Sequence, residues 1–405
     1  MDSIREIYLI GHGPSSSHSL GPQRAARKFL ERNPDSFAFE VSLYGSLAAT
    51  GRGHLTDRIL RETLGADRLK ILWHPNETLP RHPNGMVFRA RDRQGKVVDT
   101  WQVYSTGGGT IREEKNWEVN DAGVYPNLCM DDLLEWNQKT RRTLWEFVAD
   151  YEEAGIWDFL EEVRTAMIDA VQRGLETGGR LPGPLLLQRR AKQYWWKSRG
   201  AGGIIKEIGL LSSYALGVAE ENAAGGRIVT APTCGSAGVL PAVLHYLSKT
   251  RRFTRIQILR ALATAGLVGT LVKTHASISG ALVGCQGEIG TACAMAAAAA
   301  TQLLGGDVRQ IEYAAEMGIE HHLGLTCDPV MGYVQIPCIE RNTAAALKAM
   351  QCATYSLFSD GSHRISFDEV LKTMMETGRD MDEGYKETSR KGLAKYWLDS
   401  ERKKG

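Results

Sequence analysis

Between residues 37 and 43 the chain alternates: Phe37, Phe39, Val41 and Leu43 are apolar, with Ala38, Glu40 and Ser42 between them. That period of two predicts a half-buried strand. Before it, Glu6 to Ile10 is a short apolar run ending in Gly11, and Gln23 to Glu31 reads as a helix opened by Pro22. Met86–Arg93 and Lys96–Tyr104 flank a Gln-Gly turn and predict a hairpin. From Asp131 to Leu175 the spacing turns helical, with Leu133, Leu134, Leu144, Phe147, Trp157 and Phe159 on apolar faces. A Gly- and Pro-rich stretch at 178–184 ends it. The expectation is an α+β protein: an N-terminal α/β domain with a mixed sheet over 1–125, a helical connector and linker over 126–185, and an all-α domain over 186–405.

Charge divides the chain further. Residues 201–350 carry 21 of the 96 Lys, Arg, Asp and Glu side chains, or 14% of their positions, against 29% elsewhere. Charged residues are rarely buried unpaired, so this stretch predicts a dense core of packed helices. Over all 405 residues the formal charge is only +2, which gives no field to gather nucleic acid or anionic lipid. At 43% hydrophobic and 24% charged residues, the composition is that of a soluble globular protein and excludes disorder as the dominant state.

The longest uncharged runs, Ile228–Ser248 and Ile289–Gly306, are broken by Pro, Thr, Ser, Gly or Gln and fall short of the roughly 20 predominantly apolar residues of a membrane span. The N-terminus shows no signal-peptide pattern, and the seven cysteines form no CxxC pair. We expect a cytoplasmic protein with reduced or ligand-bound thiols, acting on a small molecule, with no nucleic-acid or membrane partner.

Candidate chemistry lies in loops. Residues 11–22, GHGPSSSHSLGP, place Ser15, Ser16, Ser17 and His18 between a strand and a helix. Hydroxyls and free N–H groups at a helix start cradle carboxylates or phosphates, and equally well cap the helix. His54 and His82 sit in the loops GHLTD and HPNGM; histidine titrates near neutrality and is the usual general acid or base. Small and hydroxylic residues crowd 229–238, and Lys273 opens a similar segment. Cys285, Cys327 and Cys338 stand 42 and 11 residues apart in the charge-poor region. By spacing alone they read as inert buried thiols, with a zinc site as the weaker alternative.

Motifs over nearly the whole chain resemble the iron–sulfur-dependent bacterial L-serine dehydratases in their single-chain form, with β and α regions fused. They include GPSSSH at 13–18, LYGSLAATGRGHLTD at 43–57, HPNGM at 82–86 and YSTGGG at 104–109. In the second half they include EENAAGGRIVTAPTCGSAGVLPAVLHY, ISGALVGCQGEIG, GIEHHLGLTCDPVMG, VQIPCIERN and YKETSRKGLA. The resemblance implies a [4Fe-4S] cluster on Cys285, Cys327 and Cys338 with one iron open to substrate, and no pyridoxal phosphate. It implies elimination of water from L-serine, giving pyruvate and ammonia. On this reading His54 or His82 takes the α-proton as the α/β domain closes over the cluster. Ser15, Ser16, Ser17, His18, Asn84, Thr230, Thr233 and Lys273 hold the substrate.

Two departures stand out. Cys234 occupies a position where many relatives carry Asn or Ala, and the chain ends in SERKKG without the cysteine that many single-chain relatives place there. The expectation is no self-ligation by the tail. The alternatives are β-elimination on L-threonine or L-cysteine, and a non-catalytic serine sensor. The alanine- and glycine-rich core suggests a homodimer.

Overall fold

The computed structural model describes residues 1–114, 117 and 123–402. Its strands are β1 (Ile10–His12), β2 (Ala38–Tyr44), β3 (Leu69–His74), β4 (Gly85–Arg91), β5 (Val97–Gly107), β6 (Thr110–Glu113) and β7 (Arg227–Val229). Strands β2 to β6 form one mixed sheet in the order β3-β2-β4-β5-β6. Only β2 and β3 run parallel; the other neighbours are antiparallel. The expected hairpin is β4–β5, closed by Asp92, whose carboxylate accepts from the N–H groups of Gln94 and Lys96 at 3.0 and 2.9 Å.

The helix Gly21–Arg32 covers one face of this sheet, with Pro22 in its first turn as the sequence suggested. Its Phe29 packs against Phe39, Phe88 and Trp101, ring centres 5.4–6.1 Å away. Strand β2 departs from its half-buried pattern: its polar positions Glu40 and Ser42 are buried too. Glu40 tolerates this because Arg89 and Arg91, cross-strand on β4, reach its carboxylate at 3.2 and 3.1 Å. A buried charge needs such partners.

The second half is helical. The 131–175 region resolves into three helices, Met130–Thr140, Leu144–Tyr151 and Ile156–Glu176. In the charge-poor stretch, Thr291–Leu303 is almost wholly enclosed, and Ala296 to Ala300 are fully buried. Around it pack Arg255–His275, Val308–Glu320 and Cys338–Leu357. Small residues let these backbones meet: a methyl group on Gly318 would lie 2.6 Å from Ala294 Cα. Arg255–His275 is long and apolar enough to cross a membrane, yet 78% of its most apolar window is buried in this core. The architecture is therefore α+β.

One feature departs from the expected all-α second half. Strand β7 pairs antiparallel with β1, Ile10 opposite Val229. The apolar run at 6–10 is not itself a strand: a short 3-10 turn at Ile4–Glu6 leads into β1. Ile4, Ile7 and Tyr8 are fully buried in the helical core, where the Tyr8 hydroxyl donates to Leu262 O at 2.8 Å. The N-terminal segment thus ties the loop that follows it to the helical body.

Candidate active site

Three backbone devices bring three distant cysteines together. Cys285 follows Gly284, whose φ of +73° is left-handed and whose missing side chain leaves room for Leu325 O, 2.6 Å from where a Cβ would sit. Only glycine takes that turn without strain. Cys327 lies in a loop strapped on both sides: its N–H donates to Tyr385 O and its carbonyl accepts from Glu387 N, both at 2.7 Å. Cys338 is the first residue of Cys338–Leu357. Burial raises the pKa of its thiol, with Cys285 adding to the rise.

All three thiols line one small cavity, together with Pro14, Ser15, His54, Gly235, Glu288 and Glu387. Ligand atoms of Cys285, Glu288 and Cys327 lie within 4.8 Å of one another. The Glu288 carboxylate is 3.8 Å from both sulfurs. Three soft sulfur donors converging on one small enclosed space are the donor set of an iron–sulfur centre, so the residues present fit such a group. The paired cysteine spacings of structural zinc sites are missing from the sequence.

A histidine network adjoins the cavity through His54. His18 and His54 pack with ring centres 4.4 Å apart. Thr50 donates its hydroxyl to Ser46 O at 3.1 Å and meets His18 Nε2 and His54 Nδ1, each at 3.0 Å. With its only hydrogen spent on Ser46, Thr50 can accept from both rings, which puts the protons on His18 Nε2 and His54 Nδ1. The unprotonated nitrogen of His54 is then Nε2. Ser17 Oγ meets His18 Nδ1 at 2.9 Å, and Glu387 Oε1 lies 3.3 Å from the same nitrogen.

Burial lowers the pKa of all three loop histidines: His18 to about 4, His82 to about 3, and His54 well below its usual range, with His18 adding to the last two. They are neutral at physiological pH. The two carboxyls move the other way. Burial pushes Glu387 up to about 8, with Cys285 adding to the rise; it pushes Glu288 up to about 7, with Glu387 adding.

His82 differs from His54. Its Nδ1 accepts the N–H of Asn84 at 3.0 Å, so the proton sits on Nε2. That Nε2 is buried without a hydrogen-bond partner among the described residues, as are both ends of the Asn84 amide, Ser105 Oγ and Ser279 Oγ. Buried polar groups are nearly always satisfied, so such a set marks a place for a polar ligand. Asn84 O accepts from Ser105 N at 3.0 Å, and a Cβ on Gly107, further along β5, would lie 3.4 Å from Ser279. A Cβ on the next residue, Gly280, would lie 2.8 Å from Glu288 and 3.2 Å from Cys327 Sγ. None of these partnerless groups lines the cysteine cavity itself; Ser279 is the nearest in sequence, directly before Gly280.

Ser15 lines the cavity, with Ser16, Ser17 and His18 buried beside it in the turn that opens the Gly21–Arg32 helix. Thr233 Oγ1 bonds Ser236 Oγ at 3.1 Å and also reaches Glu288. Several sequence candidates do not line this cavity, His82 and Asn84 among them. Thr230 spends its hydroxyl on backbone, donating to Ile7 O at 2.7 Å and accepting from Leu9 N at 2.8 Å. Lys273 pairs with Asp2 at 2.9 Å and Thr110 at 3.0 Å, lining a different cavity that His82 also borders. Cys234 is buried in the helical core near Glu288, which together with burial raises its thiol pKa.

Glu387, Glu288 and Thr50 were not singled out from the sequence, although each lies inside a quoted motif. The backbone of Glu387 is left-handed, with φ of 58°, which costs a non-glycine residue about 1–3 kcal/mol. Strain of that kind is tolerated where a side chain must reach a particular place.

Comparisons with known proteins cover nearly the whole chain. The family model of the serine dehydratase beta chain matches residues 3–68, and that of the alpha chain matches residues 86–394. An L-serine dehydratase of Streptomyces coelicolor is 42% identical over 448 aligned positions, covering 97% of this chain and 98% of that protein. L-serine dehydratase TdcG of Escherichia coli is 41% identical, covering 97% of this chain and 99% of its own length. An L-serine dehydratase of Mycobacterium tuberculosis is 41% identical, covering 97% of both. With the cysteine cavity, the histidine network and these full-length matches together, the chain belongs to the serine dehydratase family.

Proposed function

We propose that this protein eliminates water from L-serine, releasing pyruvate and ammonia, at a [4Fe-4S] cluster held by Cys285, Cys327 and Cys338. The observation that carries the reading is the single cavity shared by those three thiols and His54 in a chain of this family. The reaction must remove a weakly acidic Cα proton and expel hydroxide. When bound, the cluster supplies Lewis acidity toward the substrate carboxylate and the departing hydroxyl.

The protein's own groups do the rest. His54 Nε2 accepts the α-proton, and Thr50 holds the ring by accepting from Nδ1. The low pKa of His54 keeps it unprotonated and ready at neutral pH. His82 cannot serve as base, because its only unprotonated nitrogen is occupied by Asn84 N–H; it donates from Nε2 instead. The buried Asn84 amide and Ser279 hydroxyl, with Ser15 to Ser17, recognise the amino and carboxylate groups. The enamine released by elimination tautomerises and hydrolyses in water without further catalysis. The reading includes a cytoplasmic setting, where reducing conditions keep cysteine ligands from pairing as disulfides.

The test replaces His54 and His82 separately with Ala in protein with an intact cluster. H54A is expected to lose pyruvate formation by roughly 10²–10⁴-fold, the usual worth of a general base. H82A is expected to raise KM more than it lowers kcat. Near-wild-type turnover in H54A removes the assignment.

A further inference from the structure

The VQIPCIERN motif contributes more than Cys338. Arg341, one turn into the Cys338–Leu357 helix, donates from Nη1 to Thr326 O at 2.6 Å, and its Nη2 lies 3.6 Å from Asp328 Oδ1. These two residues flank Cys327. Arg341 and Asp328 expose only 16% and 3% of their side chains. Arg341 stands one turn from Cys338 and its two partners bracket Cys327, so it bridges the chain segments that carry two of the three cysteines. Arg341 stands behind the cavity wall, and the ionisable groups that line the cavity beside the cysteines are Glu288, Glu387 and His54, of which the first two are acids and the last has its pKa lowered by burial.

We propose that Arg341 is a positioning residue for the cysteine centre, with two tasks. Its fork clamps the Thr326–Asp328 loop to the helix that starts at Cys338, and its charge offsets the negative charge that three thiolates bring into a buried space. The inference rests on the reading of these cysteines as cluster ligands. Two physical arguments support it. A buried negative centre without a compensating cation is costly. Guanidinium is always charged and bonds in two directions at once, which an ammonium does not reproduce. Asp328 is itself held by Leu393 N at 2.7 Å, so the loop has an anchor on its far side against which the clamp can work.

The experiment uses the full chain, purified and loaded with cluster under anaerobic conditions, as wild type, R341Q and R341K. Two quantities are read: the rate of iron release to a chelator and the cluster's midpoint potential. R341Q is expected to release iron about tenfold faster or more, the usual effect of losing an outer partner of a metal ligand. Its potential shifts to more negative values, because a nearby cation favours the reduced, more negative cluster. R341K is expected to recover the potential but not the release rate, since it restores the charge without the fork. A release rate in R341K equal to wild type overturns the clamp. R341Q matching wild type in both quantities overturns the whole inference while leaving the cluster assignment standing. A wild-type chain that takes up no iron overturns that assignment and this inference with it.

Discussion

At the scale of single residues, two buried histidines of similar sequence context are made chemically different by one hydrogen bond each. Thr50 fixes the proton of His54 on Nδ1, and the Asn84 N–H fixes that of His82 on Nε2. Sequence reasoning reached both residues and could not choose between them, because the choice depends on backbone N–H direction and a threonine rotamer. Two predictions belong here. The acid limb of kcat/KM lies below the usual histidine range, since the lowered pKa of His54 preserves its basic form as pH falls. A pH–rate profile with an acid limb at pH 6.5 or above contradicts this. Thr50→Val removes the acceptor that orients both rings, and is expected to lower kcat about tenfold or more with little change in KM. An unchanged kcat would show that the ring is oriented by packing alone.

Elements decide which residues meet. The helix at 21–32, the β4–β5 hairpin and the buried alanine helix were legible because each has a simple period or a turn residue to announce it. The cysteine turns were not, since Cys285, Cys327 and Cys338 are presented by a left-handed glycine, a strapped loop and a helix start, none of which has a period. Glu387 was hidden for the same reason: its place in the cavity depends on an unusual φ. The YKETSRKGLA motif signalled importance without signalling which residue mattered. Gly284→Ala tests the first of these turns. A Cβ there meets Leu325 O and an unfavourable φ together, so the variant is expected to fold but to hold markedly less iron and sulfide per chain. Full occupancy in G284A would mean that the turn can relax without moving Cys285.

Across the whole molecule, two cores are built from different patterns. The sheet core gathers around Phe29, Phe39, Phe88 and Trp101, and the helical core around the alanine-rich helix. The charge-poor composition of 201–350 foretold the second core. It did not foretell that Ile4, Ile7 and Tyr8 would complete it, because a short N-terminal run carries no sign of its distant partner. Tyr8→Ala is expected to cost about 3–5 kcal/mol in unfolding free energy, as for other large buried aromatics. A loss under 1 kcal/mol would show that the N-terminal segment is dispensable to the core.

The cavity at the cysteines receives the loop at 14–15, the His54 loop, the Cys285 turn, the Cys327 loop and the segment around Glu387. Both halves of the chain therefore contribute to this cavity. The most direct test of that account is the iron and acid-labile sulfide content of the anaerobically purified chain, measured alongside pyruvate formed from L-serine. The expected result is a brown protein with about four of each per chain, whose pyruvate formation and colour are lost together when Cys285, Cys327 or Cys338 becomes Ala. A colourless, iron-free wild-type protein that still forms pyruvate from L-serine would contradict it.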